Sequence, residues 1–185
     1  GDAIGPVGRK RLKSVIRQRR FSMSDLRRSA VTDKPIIGLQ IPLILWEQKD
    51  RPVIAVLVFR IDPYRVLYPL IQSWPTTSPS SETLLVRRDG DTVLFLNELR
   101  HRKNTPLTLK ESMSRENMPA VMAVKGKTGI VTGIDYRGKP VVAALRAVPG
   151  SPWYLVAKVD RDEIDTGIKK QTRLLGIVFS LFFFL

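Results

Sequence analysis

Residues 129–160 read GIVTGIDYRGKPVVAALRAVPGSPWYLVAKVD, and this stretch decides the fold. Its β-branched and aromatic runs, Gly129–Tyr136, Val141–Val148 and Trp153–Val159, are separated by Arg137-Gly138-Lys139-Pro140 and Pro149-Gly150-Ser151-Pro152. Turn-forming residues between short apolar runs predict an antiparallel meander. Within the middle run, alternation places Val141, Ala143 and Leu145 on one face and Val142, Ala144 and Arg146 on the other.

Upstream of the meander, residues 83–88 and 92–96 flank Asp89-Gly90-Asp91, a hairpin signal. A polar stretch from Asn97 to Met118 follows, and Pro119–Val124 predicts a short helix ending near Gly126. Two strands, a helical excursion and three more strands give the element order of a PAS-like module, which predicts an α+β fold of antiparallel sheets. Downstream, Asp160 and Glu163 have the spacing of a capping box. The helix they open runs through Ile164 and Ile168 into Leu174–Leu185, LLGIVFSLFFFL, which carries no charge. A bilayer span needs about 20 apolar residues, so this reads as the start of a transmembrane helix. Lys169, Lys170 and Arg173 precede it, and the positive-inside rule alone would put them in the cytoplasm. That rule compares both flanks, and an extracytoplasmic body is the reading adopted here.

The N-terminal part repeats the pattern loosely. After a lead-in (residues 1–8), Lys10–Arg20 sets Leu12, Val15 and Ile16 on one helical face among arginines. Strands are predicted at Phe21–Leu26, Ile36–Leu45 and Val53–Ile61, the last two joined by the turn Trp46–Pro52. PVIAVLVFRID is apolar on both faces, which predicts a strand buried within its sheet. Asp62-Pro63 then resembles a helix start, and Pro69 interrupts the helix through Val66, Leu67, Leu70, Ile71 and Trp74. Pro52–Asp62 and Pro152–Asp160 are thus both strands opened by proline, closed by aspartate, preceded by a hairpin and followed by a helix. The division is 1–20, a basic lead-in and short helix; 21–74, a partial module showing only its last strands; 75–160, a complete module; and 161–185, a helix running toward the membrane.

Composition narrows the chemistry. The 185 residues are 43% hydrophobic, enough for a packed core, and include no cysteine and one histidine, His101. Disulfides, thiolate metal sites and Cys/His dyads are excluded, and a histidine-rich zinc site has no ligands to draw on. His101 sits in the charged run HRKN and reads as a solvated surface residue. No phosphate-cradling glycine pattern occurs, and Asp89-Gly90-Asp91 lacks the remaining ligands of an EF-hand. No catalytic residues, metal site or cofactor are assigned. The net charge of +14 is concentrated in Arg9, Lys10, Arg11, Lys13, Arg17, Arg19, Arg20, Arg27 and Arg28. That segment suits either a solvated helix face or an anionic membrane; with few interleaved aromatics and no recognition motif, a nucleic-acid partner is not assigned.

DPYRVLYPLIQSWPTTSPSSETLLVRRDGDTVLFLNELRHRKN and GIVTGIDYRGKPVVAALRAVPGSPWYLVAKVDRDEI resemble the double-Cache (dCache) extracytoplasmic sensor domains of bacterial membrane signalling proteins, notably sensor histidine kinases and diguanylate cyclases. The resemblance covers most of residues 21–170. It implies a domain on the periplasmic side of the inner membrane, set between two transmembrane helices and dimeric in the full-length protein. Such a domain takes a small-molecule ligand and passes a displacement through the second helix to a cytoplasmic output domain, where any kinase or cyclase chemistry lies. The sequence departs from that pattern ahead of residue 21, where a first membrane helix and early strands of the distal module have no counterpart, so the ligand site of that module is not expected to be complete.

The candidate ligand-binding residues are Asp135, Tyr136 and Arg137 at the hairpin apex, Arg146 in an otherwise apolar strand, and Trp153. Arg146 could clamp a carboxylate or amino-acid-like ligand in two-pronged fashion, or could lie on the solvent face beside an acid; Trp153 and Tyr154 read equally as core aromatics. Ser24, Asp25 and Arg27 are the candidates for the first module. Two functions follow: a sensory input domain, or a membrane-anchored interaction or scaffold module with no small-molecule ligand.

Overall fold

A computed structural model describes residues 6–30, 32–47, 49–73 and 78–166. The chain divides into two compact units, Gly1–Pro69 and Leu70–Leu185. The predicted membrane segment, residues 174–185, lies outside the described residues; among the described residues no helix is long and apolar enough to cross a membrane.

In the first unit, helix α1 (Pro6–Gln18) packs on the hairpin of β3 (Pro35–Ile44) and β4 (Val53–Ile61), with Val15 fully buried against it. Of the predicted strand Phe21–Leu26 only β1 (Ser22–Met23) forms, and a second two-residue strand, β2 (Arg27–Arg28), follows it; they pair with β3 at Leu39–Gln40 and Pro35–Ile36. Side chains interrupt it: Ser24 Oγ accepts the Gly38 N–H at 2.6 Å, and Asp25 Oδ1 accepts the Leu26 N–H at 2.8 Å. Short polar side chains at these positions compete with ladder bonds. A second expectation is corrected at β4. Among the described residues it pairs with β3 alone, and Ile54, Leu57, Val58 and Phe59 are 43–64% exposed. The two-faced apolar pattern matches a covered strand, but β4 is an edge of this sheet. Beyond it, Asp62 Oδ1 accepts the Tyr64 N–H at 3.0 Å, and residues 63–66 turn before regular helix begins at α2 (Leu67–Gln72).

The second unit carries β5 (Glu82–Asp89), β6 (Thr92–Phe95), β7 (Lys110–Ser112), α3 (Pro119–Val124), β8 (Gly129–Ile134), β9 (Pro140–Ala147) and β10 (Trp153–Asp160). They form one antiparallel sheet in the order β7-β6-β5-β10-β9-β8. Apart from the edge strand β7, the first strand pairs with the last at the centre and the meander completes one side, so the α+β, PAS-like expectation holds. Gly90, at φ +60°, takes the first central position of the β5–β6 turn, where a type II′ hairpin needs glycine. The polar stretch after β6 is pinned from within: the fully buried Asn97 accepts the Leu85 N–H at 2.7 Å and donates to Thr83 O at 3.0 Å.

Helix α3 lies over the sheet, and Ala120, Val121, Ala123 and Val124 join Leu84, Val86, Phe95, Val131, Leu145 and Val156 in the core. The approach to α3 is fixed against β8, where Ile134 N–H donates to Asn117 O at 2.9 Å. Gly133 permits this contact, since a Cβ there would fall 2.3 Å from Asn117 O and 3.0 Å from Pro119 Cδ. Gly133→Ala must push the start of α3 off the sheet, so a loss of about 1–3 kcal/mol is expected from overpacking. Urea unfolding measures it, and an unchanged midpoint would mean that the loop yields without cost.

Candidate functional site

Charged side chains are rarely buried without partners, and one end of the second unit's sheet holds a cluster of them. Antiparallel pairing of β10 with β5 sets Lys158 opposite Glu82, and the inward face that carries Val156 also carries Lys158. The Lys158 side chain is 1% exposed; its Nζ lies 2.9 Å from Glu82 Oε2 and 2.9 Å from Asp135 Oδ2. Asp135 comes from the turn between β8 and β9. Its Oδ1 accepts the backbone N–H groups of Arg137 (2.8 Å) and Lys139 (3.1 Å), which shapes that turn. Arg137 Nε donates to Asp135 Oδ2 at 2.6 Å, and Arg137 Nη2 donates to Asp160 Oδ1 at the end of β10. The Tyr136 hydroxyl donates to Glu82 at 3.0 Å, while its ring lies 5.2 Å from Lys158 Nζ and packs edge-on against Phe95.

Around this centre a second set of bonds joins the segment leading into β5 to the segment leaving β10. The carboxylate of Glu163, in the helical residues 161–166, accepts both the Ser80 backbone N–H (3.0 Å) and the Ser80 hydroxyl. Ser80 Oγ in turn accepts the Asp160 N–H at 3.0 Å. Arg100 N–H donates to Glu82 Oε1 at 2.5 Å, and its guanidinium holds Ser78 O and Ser81 O, each at 2.9 Å. The capping box expected from Asp160 and Glu163 is therefore replaced. Asp160 turns its carboxylate to Arg137 and its N–H to Ser80, and Glu163 bonds to Ser80 instead of folding back onto Asp160.

The electrostatics favour ionised Asp135 and Arg137 and a neutral Tyr136. Burial alone would raise the Asp135 carboxyl, but its bonds to Lys158 and Arg137 outweigh that and hold it below the ordinary aspartate value. Burial, and then the neighbouring Glu82 carboxylate, push the Tyr136 hydroxyl well above its usual range, so it stays a donor. Burial opposes the Arg137 charge, yet the bonds to Asp135 and Asp160 leave it more firmly protonated than free arginine. The hydroxyls of Ser78 and Ser80 lower Glu163. For Asp135, a folded-state value below the unfolded 3.8 means that unfolded chains bind the proton first as pH falls. Stability from this group is therefore fully present above about pH 5 and declines through pH 4 and below. Urea midpoints measured from pH 7 to pH 3 check this; a midpoint that holds level below pH 4 contradicts it.

Of the candidate ligand residues, Asp135, Tyr136 and Arg137 come together in this cluster, where Asp135 and Arg137 commit their polar atoms to neighbours. Arg146 is exposed on β9 opposite Leu155, and Trp153, 6% exposed, opens β10. Asp160 lies seven positions beyond Trp153, roughly 23 Å along the strand. Ser24 is buried with its hydroxyl on Gly38, Asp25 bonds to the Leu26 N–H, and Arg27 is exposed. Sequence reasoning did not single out Glu82, Lys158 or Ser80. Lys158 left a signal, being a lysine two residues from Val156 on the inward-facing register of a strand. His101 is exposed in its loop.

No protein-family model matches the chain, and no curated protein matches it. Solved structures do. The periplasmic sensory domain of the Campylobacter jejuni chemoreceptor Tlp1 aligns with a TM-score of 0.55 at 15% identity, over 83% of this chain and 55% of that one. The ligand-binding domain of the Pseudomonas aeruginosa amino-acid chemoreceptor PctB, in complex with L-Arg, aligns with a TM-score of 0.51 at 16% identity, over 82% and 59%. The extracellular domain of the histidine kinase mmHK1S-Z2 gives a TM-score of 0.51 at 16% identity, over 82% and 54%. The fold is that of Cache-type sensor domains of chemoreceptors and histidine kinases. The chain spans little more than half the length of these structures.

Proposed function

We propose that this chain is the extracytoplasmic sensory input region of a transmembrane receptor in the inner membrane, and that it relays ligand binding or dimer rearrangement through the segment leaving β10. The observation that carries the reading is the set of bonds tying residues 160–163 both to Ser80, in the segment that arrives from the first unit, and to the β8–β9 turn through Arg137. Displacement of either element is thereby imposed on the start of the C-terminal helix. An α-helix rises 1.5 Å per residue as a stiff rod, so a shift at residue 161 would persist along a continuous helix into a membrane. The fold shared with chemoreceptor and histidine-kinase sensors supports the same reading, with a kinase or diguanylate cyclase as the output domain, a dimeric full-length protein, and no enzymatic chemistry in this region. The ligand class is a carboxylate or amino-acid-like small molecule, in keeping with the L-Arg held by the PctB domain.

A melting-temperature screen of the chain against amino acids, small carboxylates and polyamines tests this. Saturation at 100 times Kd stabilises a folded state by about 2.7 kcal/mol, enough to raise the melting temperature by several degrees. A shift by one compound class is the expected result. A screen in which nothing shifts, together with a full-length protein whose output answers none of these compounds, would overturn the ligand reading.

A further inference from the structure

The sensor reading leaves helix α1 unused. Val15 is its buried contact with the sheet, and at 3.6 residues per turn Arg9, Lys10, Lys13 and Arg17 fall within about 100° of arc on the opposite side. All four are exposed, and α1 itself contains no acidic residue. Arg9–Lys13 and Lys13–Arg17 are like-charge pairs at i,i+4, which disfavour an isolated helix, and no acid sits in the first turn to complement the helix dipole. Arg19 and Arg20 extend the cationic stripe past the helix end. Exposed apolar side chains lie beside these charges in the sequence: Ile16 is 48%, Phe21 71% and Met23 50% exposed.

We infer that this face docks on an anionic phospholipid surface, with the basic stripe on the headgroup phosphates and Ile16, Phe21 and Met23 at the edge of the acyl region. Charge complementarity identifies the partner as an anion, because Lys10, Lys13 and Arg17, on a helix with no acid of its own, gain most from a dense negative surface. The apolar residues select lipid over a purely polar polyanion, since burying them at an interface adds a gain that a phosphate polymer cannot supply. The inference stands apart from the sensor reading and uses none of the residues that tie β10 to its neighbours.

The absence of cysteine allows a reporter placed on this face alone. The full chain carrying Gln18→Cys, labelled with a polarity-sensitive dye, is titrated with vesicles of phosphatidylcholine alone or with ~30% phosphatidylglycerol, a content at which polybasic segments partition electrostatically. The expected result is a blue shift on the anionic vesicles that is suppressed by high salt. Partitioning should weaken on the order of 100-fold in Lys10→Gln/Lys13→Gln/Arg17→Gln, a variant checked for an unchanged circular dichroism spectrum. Insertion of the C-terminal apolar segment into neutral vesicles does not mimic this, because the comparison is between lipid compositions. Equal shifts on both vesicle types, or none on either, overturn the inference. A shift with duplex DNA or polyphosphate but not with vesicles also overturns it, in favour of a soluble polyanion. Phe21→Ser should weaken vesicle binding, and an unaffected affinity would remove the argument for lipid.

Discussion

Lys158→Ala is expected to lower the unfolding free energy of the second unit by about 3–5 kcal/mol, the usual consequence of removing one partner from a buried ion pair. The lysine is 1% exposed and faces the carboxylates of Glu82 and Asp135, themselves 3% and 1% exposed. Without it, Asp135 still has Arg137, and Glu82 still accepts from Tyr136 and the Arg100 N–H, but two buried anions would face a cavity. Urea unfolding near pH 7 reads the loss. The triple variant Lys158→Met/Glu82→Gln/Asp135→Asn distinguishes a stranded charge from lost packing. If stranded anions cause the damage, neutralising all three groups recovers much of the stability, as replacement of buried ion pairs by uncharged groups often does. A single-variant loss below about 1 kcal/mol, the scale of an exposed pair, would show that the cluster is effectively solvated. The expected size matters because domains are stable by only about 5–15 kcal/mol in total.

The second unit's fold was legible because each of its local signals agreed. Short β-branched runs, turns such as Asp89-Gly90-Asp91 and Pro149-Gly150-Ser151-Pro152, and the buried face of Val141, Ala143 and Leu145 pointed to one meander, and the sheet has that register. Helix α3 falls on Pro119–Val124 as predicted, its proline within the first turn where no N–H is required. The first unit was harder, because its sequence misleads at two places. Ser24 and Asp25 look compatible with a strand until their side chains take over N–H groups that a ladder would use. PVIAVLVFRID has the composition of a covered strand, yet periodicity reports what a strand could bury and not what lies beside it. The cluster was half legible. Asp135, Tyr136 and Arg137 stood out as polar residues at a turn, but Glu82 and Lys158 are brought to them only by the pairing of β5 with β10, strands about 70 residues apart whose adjacency follows from the PAS-like order. Asp160 and Glu163 had the spacing of a local cap, and a local rule could not anticipate that Ser80 and Arg137, distant in sequence, would offer better partners.

On the proposed sensory reading, Arg137→Met should separate ligand binding from output in the full-length protein. Arg137 bridges Asp135, in the β8–β9 turn, and Asp160, where β10 gives way to helix, so it is the closest side-chain tie by which that turn holds the exit segment. Methionine keeps much of the unbranched stem but makes neither bond and lacks the guanidinium that lies over the Tyr136 ring. Asp135 retains Lys158, and Asp160, although buried, has Lys139 Nζ 4.0 Å away, so stability should fall less than for Lys158→Ala. The ligand-induced rise in melting temperature should persist, because binding needs the fold and not the tie. The output response should fall by 5–150-fold, the range that corresponds to losing about 1–3 kcal/mol of coupling free energy. Arg137→Lys should recover only part of it, since a point charge cannot serve two carboxylates with the fixed fork of a guanidinium. Ser80→Ala provides the complementary measurement. It removes the hydroxyl bonds to Glu163 and Asp160 while leaving the turn intact, so a larger loss of output than in Arg137→Met assigns the relay to the segment arriving from the first unit. If both variants signal at full strength, the helix is driven by something other than these bonds, and the mechanical reading of the cluster fails.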